Sequence, residues 1–153
     1  YGGLTSYLIK FYPQPPYKGT TMTTKILNLT QHVATPAQIA DGVFEPNDKE
    51  RVQRLLTFES IPSKWEMVCR AKQLVLVALN NKASTVMIGG APYFMSILET
   101  VLQINDITPL YSFNTRDSIE VTDPITGITT KTAQFVHSGF VAAPPSMFIN
   151  MHF

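Results

Sequence analysis

Three short apolar runs, Lys25-Ile-Leu-Asn-Leu-Thr30, Ser84-Thr-Val-Met-Ile88 and Thr108-Pro-Leu-Tyr-Ser-Phe113, are separated by segments with the period of amphipathic helices. Strands joined through helices pair in parallel by right-handed crossovers, because a parallel neighbour needs a connection long enough to return the chain to the same end of the sheet. This order predicts an α/β fold with a small parallel sheet between helical layers, a three-layer arrangement. Of the 153 residues, 44% are hydrophobic and 15% charged, enough to bury one sizeable core and too little chain for two.

The helices have readable limits. Thr35-Pro36-Ala37-Gln38 has the hydroxyl, proline and glutamine of a capping box, and Gly42 ends the short helix that it opens. A second helix is expected from Asn47 to Phe58 with Val52, Leu55 and Leu56 inward. Ser63-Lys-Trp-Glu66 reads as another capping box, opening a helix to about Leu79 with Val68, Ala71, Val75 and Ala78 inward, which makes Cys69 a small buried hydrophobe. A fourth helix runs from Pro92 to Ile104, with Phe94, Ile97, Leu98 and Val101 facing the core. After Phe113 the period changes, and Ile119 to His137 is expected to form a C-terminal β-hairpin turning at Asp123-Pro124 and Gly127.

Three parts are expected: an N-terminal extension or tag-like arm over 1–24, the α/β domain over 25–141, and a C-terminal arm over 142–153. Met22 is a candidate natural start just ahead of the first run. Both arms mix prolines with residues such as Tyr7, Phe11, Met147 and Phe153, too apolar to stay solvated, so they are expected to lie against the domain or a neighbouring copy in a homo-oligomer.

Twelve basic and eleven acidic residues leave a net charge of +1, which offers no broad field for a nucleic-acid backbone or an anionic membrane. No run reaches the length of a membrane span, and the first residues lack the basic segment of a secretory signal. A single cysteine allows no internal disulfide, and with no His-x-x-x-His or Cys-x-x-Cys spacing no metal site or cofactor is expected. The reading is a cytoplasmic protein. Asn28-Leu29-Thr30 matches a glycosylation sequon, but it falls in an apparently buried strand and is set aside.

In an open parallel sheet ligands bind beyond the carboxyl ends of the strands. That edge should gather Thr30, Gln31 and His32, then Gly89 and Gly90, then Ser112, Arg116 and Ser118, as a ligand-binding set. The glycine pair permits close approach, the helix after it offers free amides, and Arg116 could clamp a phosphate through paired hydrogen bonds. The glycines match neither the P-loop nor the dinucleotide spacing, so Gly89-Gly90 reads first as a tight strand-to-helix turn and second as a ligand contact. His32 and Glu120 are the candidate catalytic groups, His32 also serving as an ordinary structural hydrogen-bonder. His137 lies late in the hairpin and His152 in the arm. Ser112 and Ser118 show no partnered base in the sequence, and Tyr93 and Tyr111 could stack on a ligand or pack inward.

Three motifs, Ile-Leu-Asn-Leu-Thr-Gln-His-x-Ala-Thr-Pro-x-Gln, Met-Ile-Gly-Gly-Ala-Pro-Tyr-x-Met and Pro-Leu-Tyr-Ser-Phe-x-x-Arg-x-Ser-x-Glu with a late His-x-Gly-Phe, resemble a family of small uncharacterised Rossmann-like proteins from bacteria, phages and plasmids. The resemblance covers about Lys25 to Val141. The opening motif is also similar to small Rossmann-like proteins associated with CRISPR systems. The resemblance implies that Thr30, Gln31, His32, Gly89, Gly90, Tyr111, Ser112, Arg116, Ser118, Glu120 and His137 are motif-bearing positions. Two functions stay open. One is binding of a nucleotide or another phosphorylated or anionic small molecule at the strand ends, and the other is a non-catalytic homo-oligomeric structural or interaction protein assembled through its apolar tails.

Overall fold

A computed structural model describes residues 24–145, so the arms expected at the two ends, His152 included, lie almost wholly outside the described residues. The chain runs β1 (Ile26–Leu29), α1 (Pro36–Ala40), β2 (Val43–Phe44), α2 (Lys49–Leu56), α3 (Lys64–Asn80), β3 (Thr85–Ile88), α4 (Pro92–Ile104), β4 (Thr108–Thr122) and β5 (Thr129–Ala142). Its strands form one sheet in the order β2-β1-β3-β4-β5, parallel except for the antiparallel β4–β5 pair. The α/β class and the C-terminal hairpin are as the sequence implied.

Strand periodicity divides the core in two. Leu27, Leu29, Val86 and Ile88 point to one face and pack with the apolar sides of α2, α3 and α4. Ile26 and Met87 point to the other, where they meet Ala34, Val43, Leu110 and Phe140. Three helices thus cover the first face, whereas on the second the only described helix is the short α1, none of whose residues is buried. That thin side is where polar side chains can reach the sheet.

Local signals act largely as expected. Thr35 and Gln38 form both halves of the capping box at α1. At α3 Ser63 Oγ accepts from the Glu66 N–H, but Glu66 turns its carboxylate to Arg70 at 2.8 Å, four residues on, and leaves the box half made. Ala71, Val75 and Ala78 are buried as read, whereas Val68 and Cys69 are only partly buried.

Two features depart from the sequence reading. β2 is a strand of two residues, too short to show a period. Residues 114–118, which the sequence reading placed beyond the end of the third strand, are strand, because β4 continues for 15 residues while β5 supplies partners for its backbone as far as Thr122. The tip is where the turn residues placed it: Asp123 Oδ1 accepts from the Ile125 and Thr126 N–H groups and Gly127 takes φ +68°. The outer hairpin exposes Val121, Ile125, Ile128 and Phe135.

Candidate functional site at the strand ends

The loop leaving β1 is held from beneath by Asn28, whose side chain is fully buried. Its Nδ2 donates to His32 O at 2.8 Å and Glu45 Oε1 at 2.9 Å, and its Oδ1 accepts from Thr30 N at 3.0 Å and Thr30 Oγ1 at 2.7 Å. All four hydrogen-bonding positions of the amide are therefore used. Glu45 also accepts from Ala34 N at 2.7 Å and pairs with Lys49 at 3.0 Å, while Lys49 donates to Thr30 O and His32 O. The backbone of Thr30-Gln31-His32 is thus fixed by a network rather than by the sheet.

Burial pushes the Glu45 carboxyl up, but the Ala34 N–H, the Asn28 amide and the Lys49 ammonium outweigh it and hold the group below the ordinary glutamate range. A carboxyl depressed on folding adds stability above its unfolded pKa and loses it as pH falls through the folded one. Glu45→Gln should therefore be less stable than the parent at neutral pH, and the difference should shrink as pH drops below the ordinary glutamate value. Thermal melts over a pH series measure this, and a difference independent of pH would contradict it.

Beyond β3, Gly90 adopts φ +156°, and a Cβ there would stand 3.3 Å from Met95 Cε; a Cβ on Gly89 would meet Thr30 Cγ2 at an ordinary 3.7 Å. Gly90 is thus the glycine that the turn requires. α4 begins at once, capped by Ala91 without a side-chain bond and carrying Pro92 in its first turn. The Phe94 and Met95 N–H groups both donate to Ala91 O.

β4 brings Tyr111 and Ser112 to the same edge. The Tyr111 hydroxyl donates to Glu99, and burial together with that carboxylate pushes its pKa well up, so it acts as a neutral donor. Ser112 Oγ lies 2.7 Å from His137 Nδ1 and accepts from Gln38 Nε2 at 3.1 Å, with Asn114 Oδ1 also 3.1 Å away. His137 Nε2 meets Asp41 Oδ2 at 3.1 Å. Gln38 and Asp41 come from the α1 segment on the thin face.

Between these elements lies a cleft of about 520 Å³. Thr30, Gln31, His32, Gly89, Gly90 and Ser112 line it, together with Tyr111, Gln38 and Asn114. Arg116, Ser118 and Glu120 are not brought there: they lie on the exposed hairpin opposite Phe135, Ala133 and Lys131, with Glu120 paired to Lys131 at 3.6 Å. Tyr111 is the last β4 residue in register with β3, and at ~3.3 Å per residue Arg116 sits roughly 16 Å further along the strand. Tyr93 is half-exposed and packs edge-on to Phe58 outside the cleft lining.

A second depression, about 590 Å³ between α2 and α3, is lined by Arg54 and Arg70. Both are committed, Arg54 to Glu50 at 3.7 Å and Arg70 to Glu66 and to the carbonyls that end α2. Among the described residues no group of His, Cys, Asp and Glu is arranged to hold a metal, and no helix is long and apolar enough to cross a membrane.

The family model described as the uncharacterized protein MJ1673 family matches residues 24–141. The chain belongs to that family. The matched span runs from the residues before β1 almost to the end of β5, so it contains the whole cleft and the side chains behind it. Comparison with curated proteins and with solved structures gave no match.

Sequence reasoning missed Asp41, the second role of Gln38 and the tie between Ser112 and His137. Asn28 carried a visible signal, an amide within a run of buried aliphatics, which demands a polar partner at each of its atoms. His137 was marked only by the motif resemblance and carried no signal in its local spacing, because its position depends on an irregularity of β5. Phe113 faces Gly139 and Asn114 faces His137, leaving Ser138 as an extra residue. That bulge places His137 on the face of Phe140 and Ser112, where strict alternation would put it on the opposite one.

Proposed function

We propose that the protein binds a nucleotide or another small molecule bearing an anionic group in the strand-end cleft. The observation that carries this reading is the convergence of polar groups from the ends of three adjacent parallel strands, Thr30 and His32 after β1, Gly89 and Gly90 after β3, and Ser112 on β4, around one volume. At about 520 Å³ the cleft falls within the range of roughly 300–1,000 Å³ usual for small-molecule sites. The start of α4 favours negative charge beside Gly90. Among the described residues no lysine or arginine lines the cleft, which suits one phosphate or carboxylate better than a polyphosphate.

Native mass spectrometry of the purified full chain reads any retained ligand and the oligomeric state together, and so also tests the assembly expected from the apolar arms. Titration with nucleoside monophosphates follows. Gly90→Val should weaken binding at least about tenfold, since a β-branched side chain disturbs both the turn and the approach to it. Arg116→Ala should bind as the parent does. Undiminished binding by a folded Gly90→Val chain would overturn the reading.

A further inference from the structure

We infer that Ser112 is a nucleophile that accepts an acyl group from a small carboxylic ester in this cleft, with His137 taking its proton and Asp41 as the positioning residue. This deepens the reading of the cleft as a ligand site and rests on it. An ionised carboxylate can only accept, so Asp41 requires a hydrogen on His137 Nε2, and the neutral ring then presents a lone pair at Nδ1. Ser112 Oγ stands 2.7 Å from that lone pair, closer than to Asn114 Oδ1, the other acceptor available to its hydroxyl. Gln38 donates to the same oxygen and steadies it, and its own Oε1 is held by the Thr35 N–H in the capping box.

Burial decides which group reacts. The His137 side chain is 2% exposed, its ring lies against Phe140 at 4.7 Å, and each of its nitrogens already has a partner. It can therefore exchange a proton with the cleft only through Ser112, which excludes a role as base toward a free water. Phosphoryl transfer relies on cations around the transferred group, and among the described residues the cleft lining has neither lysine nor arginine. An ester carbonyl develops one oxyanion, which neutral donors can meet. Ile88 pairs with Tyr111, so the Gly89-Gly90 turn follows β3 at the position beside Ser112, and both glycines line the same cleft as Ser112.

In the step, Ser112 Oγ bonds to the carbonyl carbon and its proton passes to His137 Nδ1. The carbon–oxygen bond to the alcohol breaks with its electron pair on the alcohol oxygen, which, bonded to the same carbon as Ser112 Oγ, takes the proton from His137 Nδ1 as it leaves, so that His137 is neutral again with its Nε2 hydrogen still donated to the Asp41 carboxylate. The net change converts ester and serine to acyl-serine and alcohol. Water has little access to the covered ring, so hydrolysis of acyl-Ser112 is the slower half.

The test is to mix the folded full chain with p-nitrophenyl acetate, follow p-nitrophenolate release, and locate the acetyl group by peptide mass spectrometry. A burst of up to one equivalent per chain with acetyl on Ser112 is expected, and this localisation depends on no variant. Ser112→Ala should abolish the burst, and His137→Gln should slow it by about a hundredfold. Asp41→Asn should slow the burst about tenfold with an unchanged melting curve, whereas a purely structural aspartate would alter the melt and leave the burst rate alone. Acetyl found only on lysines or tyrosines, or none on Ser112, would overturn the inference. A chain that binds nucleoside monophosphates yet leaves Ser112 unacetylated refutes this proposal alone, and one that acetylates Ser112 without binding them supports it and refutes the anionic-ligand reading.

Discussion

Phe94→Ala should lower folding stability by about 4 kcal/mol, the cost of a large cavity in a close-packed site. Phe94 is 1% exposed and meets Phe58 edge-to-face at 5.3 Å. Phe58 in turn packs against Tyr93 at 5.8 Å and lies under the Arg70 guanidinium at 4.4 Å. Phe94 thus locks the first turn of α4, and with it the Gly89-Gly90 turn, onto α2 and α3. Urea denaturation should show a lower midpoint with an unchanged slope, and a loss below about 1 kcal/mol would mean that the site collapses without leaving a void. Tyr93→Ala, one residue earlier and half-exposed, should cost far less.

Asn28→Leu should cost about 3 kcal/mol despite its similar volume and greater hydrophobicity. The substitution strips hydrogen bonds from Thr30, His32 O and Glu45 at once, and the Thr30 N–H and one Glu45 oxygen lose partners in a partly buried setting. In a chain of this size the melting temperature should fall by on the order of 10 °C. The Thr30–His32 loop should lose its shape as well, so ligand affinity should fall in whatever fraction stays folded. Asn28→Asp should be no better, because a carboxylate there would face Glu45 and a carbonyl with no hydrogen to offer. A melt within a degree or two of the parent would show that the network is dispensable.

The extent of α4 from Pro92 to Ile104 and the capping of α1 were legible in the sequence because they depend on neighbours a few residues apart. So were the hairpin tip and the alternation of strands with helices, which permits few topologies. The lines of residues that end at the cleft followed from parallel order alone: once β1, β3 and β4 run side by side, Thr30, Gly89 and Ser112 must share an edge.

The tertiary structure alone decided how far β4 runs and what stands behind Ser112. Residues 114–118 have no local signal for strand, and they are extended because β5 lies beside them and completes their backbone hydrogen bonds. By staying in that strand they carry Arg116 away from the glycine turn. His137 and Asp41 are 96 residues apart, and His137 and Ser112 are separated by 25. The bulge at Ser138 turns the histidine inward and α1 lays Gln38 and Asp41 over the thin side of the sheet. Sequence determines contacts whose geometry is set by one helix, one turn or one strand period, whereas a side-chain cluster drawn from three elements depends on a register shift and a layer packing that no local pattern encodes.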